Sequence, residues 1–185
     1  MSIFFVRHTS VNVPRGICYG QTDVPLSDSF EQEAIRVKEA LAELHIEKAY
    51  TSPLSRCVRL ADFCGFPEAK RDRRLLELDF GQWEMQAFES IVDPRLQTWY
   101  DNYLHTPTTG GEAFTDLYAR VASFLNEIKK RHPHSPTAVF THGGVLTCVR
   151  ILTGHAEIEE AFRTIPPYGS ILPLNSDFKI VRAVL

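Results

Sequence analysis

The segment IFFVRHT, residues 3–9, contains the strand that decides the fold. Its apolar run from Ile3 to Val6 is typical of a short strand buried in a sheet. Arg7 and His8 follow at once, and a cation beside a titratable ring is an unusual way for a strand to leave a core. Either the pair simply reaches the surface there, or the strand delivers it to a reaction.

Strand-like and helix-like patterns alternate along the rest of the chain. A loop rich in Pro and Gly occupies residues 9–26, and loops of this length in compact domains are usually functional. The last residues, 170–185, are typical of a hairpin that turns at 175–177. Between these, the patterns predict helices at 27–44, 53–65, 111–132 and 145–154, and strands at 48–52, 73–78 and 137–141.

This alternation favours an α/β sandwich with a mostly parallel sheet and an antiparallel strand at one edge. The 185 residues fit one domain, residues 1–185, in which the polar and aromatic stretch around 84–110 is interpreted as a helical lid. In sheets of this kind, ligands bind outside the carboxyl ends of the strands. The strand ends are therefore where functional residues are expected.

The composition is that of an ordinary globular protein, with 44% hydrophobic and 23% charged residues. A net charge of −3 gives no electrostatic argument for nucleic acid or an anionic membrane as a partner. No apolar stretch approaches the roughly 20 residues of a membrane span, and no secretion signal is visible. The four cysteines are scattered without a C-x-x-C pair, so we expect reduced, buried thiols and a cytoplasmic protein.

Three strand ends carry similar polar residues. They are the segments RHT at 7–9, TSPLSR at 51–56 and THGG at 141–144, which bring Arg7, His8, Arg56 and His142 to one edge of the sheet. Two guanidinium groups and two imidazoles in one cleft repel each other unless an anion lies among them. Phosphate fits this role because the planar Arg fork matches its oxygens. Gly143 and Gly144 add backbone N–H groups at a helix start, which also suit an anion.

A phosphate site that contains two histidines indicates covalent transfer. Histidine is largely neutral at cellular pH, and nearby Arg charges favour the neutral form further, which leaves a ring nitrogen free to attack phosphorus. Each residue also has an ordinary interpretation: His8 as a partly buried histidine, Arg56 as a surface charge and His142 as a residue that satisfies a turn. The joint occurrence at successive strand ends is what favours chemistry.

Four blocks together resemble the histidine phosphatase superfamily, the phosphoglycerate-mutase-like enzymes. They are VRHTS at 6–10, TSPLSR at 51–56, LLELDFGQWE at 75–84 and FTHGGV at 140–145, in matching order and rough spacing. The resemblance implies a three-layer α/β/α sandwich and a reaction that needs neither a metal nor another cofactor. One departure is Met85, which stands where the family often has Gly.

The same resemblance implies roles for individual residues. His8 would be the nucleophile that becomes phosphohistidine, and Glu77 the general acid that protonates the leaving oxygen. Taken without the family, Glu77 would be read as a solvated acid between two leucines. The residues implied to hold the phosphate are Arg7, Arg56 and His142, with Thr9 and Gly143 beside them.

The loop VPRGICYGQTDVPLS at 13–27 and the block TGGEAF at 109–114 are similar to those of α-ribazole phosphatases. These enzymes hydrolyse α-ribazole 5′-phosphate late in the assembly of the cobalamin nucleotide loop. By position, the resemblance places four loop residues at or near the phosphate: Tyr19, Gly20, Gln21 and Thr22.

Other functions stay open at this point. A broad sugar-phosphate or nucleotide phosphatase, a phosphoglycerate mutase, and a module that binds a phosphorylated small molecule without turnover all fit the same residues. A homodimer is also left open. The aromatic residues of the middle segment either stack on an aromatic base or form a small core of their own; they are Trp83, Trp99, Tyr100 and Tyr103.

Overall fold

The computed structural model describes residues 2–132, 134–177, 179 and 180, and these residues contain one mixed sheet. In the order β3-β2-β4-β1-β5, all neighbours are parallel except β1 and β5, which are antiparallel. The strands are β1 (Ile3–Arg7), β2 (Lys48–Thr51), β3 (Lys70–Arg71), β4 (Thr137–Thr141) and β5 (Ile171–Leu174). The helices are α1 (Phe30–Ala42), α2 (Ser55–Phe63), α3 (Leu96–Asn102), α4 (Phe114–Arg131) and α5 (Gly143–Leu152).

The side chains of β1 show why the protein has three layers. Successive residues of a strand point to opposite faces of the sheet. Ile3 and Phe5 therefore pack into a core with α4 and α5, whereas Phe4 and Val6 pack into a second core with α1 and α2. The predicted α/β/α sandwich, mostly parallel with one antiparallel edge strand, is confirmed.

The prediction of a strand at 73–78 is wrong. The third strand, β3, is only Lys70–Arg71, and a 3-10 turn follows at Arg73–Leu75. The carboxylate of Asp72 accepts a hydrogen bond from the Arg74 backbone N–H at 2.9 Å, which ends the strand and starts the turn. The leucines of this segment are buried nevertheless, because an irregular backbone delivers them to the core.

The C-terminal hairpin is present as far as the structure describes it. Leu174 pairs with Ile180, and the carboxamide oxygen of Asn175 accepts the backbone N–H groups of Asp177 and Lys179. Residues 181–185 lie outside the described part of the chain. Pro173 is tolerated because β5 is an edge strand.

The four cysteines are free and buried, as expected. Burial raises the pKa of the Cys57 and Cys64 thiols to about 12, so both stay protonated at neutral pH. Among the described helices, none has the length and apolar character needed to cross a bilayer.

The middle segment contains short helical pieces, the 3-10 turn Phe88–Ser90 and helix α3. Trp83 and Trp99 are buried there, with ring centroids 5.5 Å apart, and the Trp83 indole N–H donates to Asp93 Oδ2 at 2.7 Å. These two tryptophans form a small core with Cys18 and Ile91. The assignment of the segment as a moving lid stays a prediction.

Met85 has a backbone φ of +64°, in the left-handed region that Gly adopts without steric cost. Replacing Met85 by Gly is expected to raise the free energy of unfolding by about 1 kcal/mol, because the Cβ clash disappears. Urea denaturation measures this change. The neighbouring variant Gln86→Gly, at a residue without positive φ, is expected to lower stability, and a destabilised Met85→Gly would contradict the account.

Candidate active site

His8 follows the last residue of β1 and is almost completely buried, with 2% of its surface exposed. Its Nδ1 lies 2.7 Å from the backbone oxygen of Thr9. Because a carbonyl oxygen only accepts hydrogen bonds, Nδ1 must carry the proton. The neutral ring then keeps an unprotonated Nε2, which is the atom a nucleophilic histidine needs.

The surroundings of His8 keep it neutral. Burial lowers its pKa well below 6.5, and the positive charges of Arg56 and Arg7 add to this effect, while the hydrogen bond to Thr9 opposes it. At neutral pH the ring is therefore available as a nucleophile without first losing a proton.

His142 follows β4, and its ring centroid lies 5.2 Å from that of His8. Its Nδ1 accepts a hydrogen bond from Arg56 Nε at 3.3 Å, so its proton resides on Nε2, which lies 2.7 Å from Ser52 Oγ. Burial and the charge of Arg56 lower the pKa of His142 well below its usual value. Both ring nitrogens of His142 therefore have protein partners, and its direct contact with phosphate stays a prediction.

The burial of His8 and His142 predicts that the protein loses stability as the pH falls. Their pKa values are lowered in the folded protein and return to about 6.5 in the unfolded chain. Below about pH 6.5 the unfolded chain therefore binds protons that the folded protein does not, and the free energy of unfolding falls. Each histidine contributes a slope of up to about 1.4 kcal/mol per pH unit.

Urea unfolding between about pH 7 and 5.5 measures this slope, a window above the range in which ordinary carboxylates titrate. His8→Asn is expected to reduce the slope, because it removes one of the three lowered histidine pKa values; the other two belong to His132 and His142. A free energy of unfolding that does not change over this window would contradict the burial of neutral histidines.

Arg7 lies at the carboxyl end of β1 with its guanidinium carbon 3.9 Å from the centre of the Tyr168 ring. Its Nη1 donates a hydrogen bond to the backbone oxygen of Pro166, and its buried Nε has no partner among the described residues. Gly143 allows this approach, since a Cβ there would lie 3.2 Å from the guanidinium carbon. The unpartnered N–H is a donor that an anion could use.

Arg56 lies in the first turn of α2 and is completely buried. Besides its bond to His142, it donates from Nη1 to the Thr22 carbonyl at 2.9 Å and from Nη2 to the Gly20 carbonyl at 2.5 Å. These three bonds use three of the five N–H groups of a guanidinium. Two N–H groups remain, and their contact with a phosphoryl group stays a prediction.

Glu77 reaches the site from the irregular segment after β3. The guanidinium of Arg120 on α4 donates to the Glu77 backbone oxygen at 2.8 Å and pairs with Glu112 at 2.8 Å, which holds this segment in place. The two carboxylate oxygens of Glu77 accept backbone N–H groups from Leu78 at 2.9 Å and Gly144 at 3.1 Å. A Cβ at Gly144 would lie 2.2 Å from the carboxylate, so glycine is required there.

The other predicted residues lie around this group at different distances. Thr9 is buried, and its hydroxyl has no partner among the described residues. The Tyr19 hydroxyl lies 2.7 Å from that of Tyr168, at the border of the cavity. The backbone of residues 20–22 instead binds Arg56 and Glu84, and the Gln21 side chain donates to the Glu77 backbone oxygen at 3.1 Å. Direct contact of these residues with phosphate stays a prediction.

A cavity of about 620 Å³ opens onto Arg7, His8, Glu77 and Gly144. Away from these residues its wall is mostly aromatic and aliphatic. The lining side chains are Ile17, Tyr19, Leu78, Phe80, Phe88, Trp99, Tyr100, Tyr103, Phe162, Ile165 and Tyr168.

The residues of segment 165–168 were missed by the sequence analysis. Tyr168 covers Arg7, and its ring centroid lies 5.5 Å from that of His8. A signal was available, because a strand that pairs antiparallel with β1 must begin where β1 ends. The loop before β5 is therefore placed beside His8, and the Gly169 N–H donates to the His8 carbonyl at 3.1 Å.

These observations define a class of protein: an α/β/α sandwich that holds two neutral histidines and two arginines at the carboxyl ends of its strands. The chain belongs to the histidine phosphatase superfamily (branch 1), which it matches over residues 3–178. The resemblance of its four sequence blocks to this superfamily is thereby confirmed.

Individual relatives carry different names. The chain is 27% identical over 150 residues to phosphoserine phosphatase 1 of Hydrogenobacter thermophilus, covering 77% of this chain and 71% of that protein. It is 34% identical over 156 residues to phosphoglycerate mutase-like protein 4 of Arabidopsis thaliana, covering 78% and 67%. A solved structure of a proposed alpha-ribazole-5′-P phosphatase from Escherichia coli matches with a TM-score of 0.86 at 21% identity, over 99% of this chain and 95% of that one. The last match concerns the fold alone.

Proposed function

We propose that the protein is a phosphomonoesterase that works through phosphohistidine and that its substrate is α-ribazole 5′-phosphate, hydrolysed to α-ribazole and phosphate. The observation that carries this proposal is the continuity between the histidine site and the aromatic cavity. One end of the cavity suits a phosphoryl group, and the other suits a flat, apolar leaving group such as a benzimidazole nucleoside.

The reaction proceeds in two transfers. His8 Nε2 attacks phosphorus, the P–N bond forms, and the P–O bond to the leaving group breaks as Glu77 gives that oxygen its proton. Water then attacks phosphorus and passes a proton to Glu77 as the P–N bond breaks, which regenerates neutral His8. Arg7 and Arg56 stabilise the charge on the equatorial oxygens in both steps.

The charges around the cavity favour this leaving group over smaller acidic ones. Among the described residues that line the cavity, Arg7 is the one Lys or Arg, and in the proposed reaction it binds the phosphoryl group. Phosphoserine and phosphoglycerate would place a carboxylate against aromatic rings without a partner, which is costly. Relatives are named phosphoserine phosphatase 1 and phosphoglycerate mutase-like protein 4, so phosphoserine and phosphoglycerate are the comparison substrates that a test must include.

A substrate panel with EDTA present tests the proposal. The kcat/KM for α-ribazole 5′-phosphate is expected to exceed that for ribose 5-phosphate by about 50- to 100-fold, because burying about 100 Å² of the base contributes about 2.5 kcal/mol. Ribose 5-phosphate is the matched control, since it has the phosphorylated sugar without the base. Equal values would contradict the α-ribazole assignment, and isomerisation of 3-phosphoglycerate without release of phosphate would favour a mutase.

Tyr100 provides a test of the aromatic wall, because it lines the cavity yet is 52% exposed, so its removal leaves the core intact. Tyr100→Ala is expected to raise KM for α-ribazole 5′-phosphate about 5- to 10-fold through lost contact with the base. The KM for ribose 5-phosphate should stay within about twofold. An equal rise in KM for both substrates would show that the Tyr100 ring does not contact the base.

A further inference from the structure

Arg56 is a completely buried cation that forms no ion pair within the described part of the chain. Burying a charge without compensation is costly. Its Nη2 and Nη1 instead donate to the carbonyl oxygens of Gly20 and Thr22. A further group is therefore expected to fix the positions of these two carbonyl oxygens beside the guanidinium.

Glu84 contacts the same loop from the opposite side. Its Oε1 accepts the Gln21 backbone N–H at 2.7 Å, and its Oε2 accepts the Thr22 backbone N–H at 2.5 Å together with the Thr22 hydroxyl. Burial alone would raise the pKa of Glu84, but the hydrogen bonds from Thr22 and Gln21 hold it below its usual value. Glu84 is therefore a charged carboxylate at neutral pH.

One peptide group connects the two charges. The unit between Gly20 and Gln21 offers its carbonyl oxygen to Arg56 and its N–H to Glu84. Thr22 likewise donates its N–H to Glu84 and presents its carbonyl to Arg56. Hydrogen bonds arranged in series through one peptide group polarise and strengthen one another, so the carboxylate makes the Gly20 carbonyl a better acceptor for the guanidinium.

The loop is packed closely at Gly20. A Cβ at Gly20 would lie 1.9 Å from the Leu78 carbonyl oxygen and 3.1 Å from Glu84 Oε1. At the other end of the loop, Asp23 accepts the backbone N–H of Ser55 at 3.0 Å and its hydroxyl at 2.7 Å, at the start of α2. The loop is thus fixed to the helix that carries Arg56.

From these contacts we infer that Glu84 is a positioning residue for the phosphate site: through the peptide groups of residues 20–22 it orients Arg56 toward the phosphoryl group. The inference rests on the proposed function, in which Arg56 holds that group. Neither Glu84 nor Arg56 is among the residues that line the cavity, and of the two the proposed reaction gives only Arg56 a contact with the phosphoryl group.

The variant Glu84→Gln tests this connection. Its amide presents an NH₂ group where the loop offers N–H donors, so one of the backbone hydrogen bonds is replaced by a repulsive contact. The Kd for inorganic phosphate is expected to rise about 10- to 100-fold, the range found when partners that orient metal ligands are removed. Glu31→Gln, at an exposed carboxylate, is the matched control and should bind phosphate as the unmodified protein does.

A double-mutant cycle separates positioning from general structural support. If Glu84 acts through Arg56, adding Glu84→Gln to Arg56→Met should change the phosphate Kd by less than twofold. The inference would be overturned if the fold-changes in phosphate Kd of the two single variants multiply in the double variant. Normal phosphate binding by Glu84→Gln would also overturn it. Thermal unfolding is followed for each variant. If Glu84→Gln does not fold, Thr22→Val replaces it in the cycle, since it removes only the hydroxyl donor and should weaken phosphate binding about 2- to 5-fold.

The cycle uses phosphate binding, so it remains informative even if the proposed function fails. A protein that binds phosphate with the expected coupling but hydrolyses no monoester would refute the proposed function and support the inference. A protein that hydrolyses the monoester, but in which the fold-changes in phosphate Kd multiply, would support the proposed function and refute the inference.

Discussion

Replacing His8 by Ala is expected to lower kcat by at least about 10⁴-fold, because the nucleophile is lost while the rest of the site remains. Neither arginine depends on the His8 ring, since Arg7 is bound to Pro166 and Arg56 to His142 and the loop carbonyls. Steady-state hydrolysis of α-ribazole 5′-phosphate measures the loss. The variant should still bind inorganic phosphate.

Two controls make the result for His8 interpretable. His155→Ala removes an exposed imidazole and is expected to leave kcat unchanged. Cooperative thermal unfolding of His8→Ala shows that the fold is kept, and His8→Asn is used if the smaller side chain prevents folding. Near-normal hydrolysis by a folded His8 variant would eliminate covalent catalysis at this residue.

Replacing Glu77 by Gln is expected to lower kcat/KM for α-ribazole 5′-phosphate by about 10²- to 10⁴-fold, the usual contribution of a general acid. The leaving alkoxide of this substrate needs a proton as the P–O bond breaks. A nitrophenolate leaves without a proton. Glu77→Gln should therefore slow the transfer of the phosphoryl group from p-nitrophenyl phosphate to His8 much less. Comparison of the two substrates therefore identifies proton donation.

The amide of Glu77→Gln can still accept one backbone hydrogen bond, from Leu78 or from Gly144, so the segment should keep its course. Glu31→Gln again serves as the exposed carboxylate control. An equal loss with both substrates would indicate that Glu77 positions the phosphoryl group instead of supplying a proton.

The part of the site that the sequence predicts best is the part fixed by strand ends. Parallel strands place their carboxyl ends at one edge, so the positions of Arg7, His8 and His142 follow once β1 and β4 are recognised. Arg56 follows for the same reason, since it comes directly after β2. The 5.2 Å separation of the two imidazole rings agrees with that argument.

Other features depend on contacts that no local pattern contains. The apolar run at 75–78 is typical of a strand, yet the side chain of Asp72 starts a turn, and Arg120, far along the chain, binds the backbone of the segment. The orientation of the His142 ring is decided by Arg56 and Ser52, on a separate segment. Long-range hydrogen bonds of this kind become visible only in three dimensions.

The aromatic residues of the middle segment show how two interpretations can both hold. Trp83 is buried in a small core, as one interpretation expected, while Tyr100 and Tyr103 line the cavity, as a stacking role requires. Trp99 does both, since it packs on Trp83 and also lines the cavity. Burial within the segment and contact with a ligand are therefore compatible.

In the proposed reaction the phosphoryl group passes through His8, and this step is tested by trapping the phosphorylated intermediate. The protein is mixed with ³²P-labelled substrate, quenched in alkali within milliseconds, digested and sequenced by mass spectrometry. We expect a label that is stable in alkali, labile in acid, and located on the peptide that contains His8. Turnover without any covalent label, or a label on another residue, would contradict it.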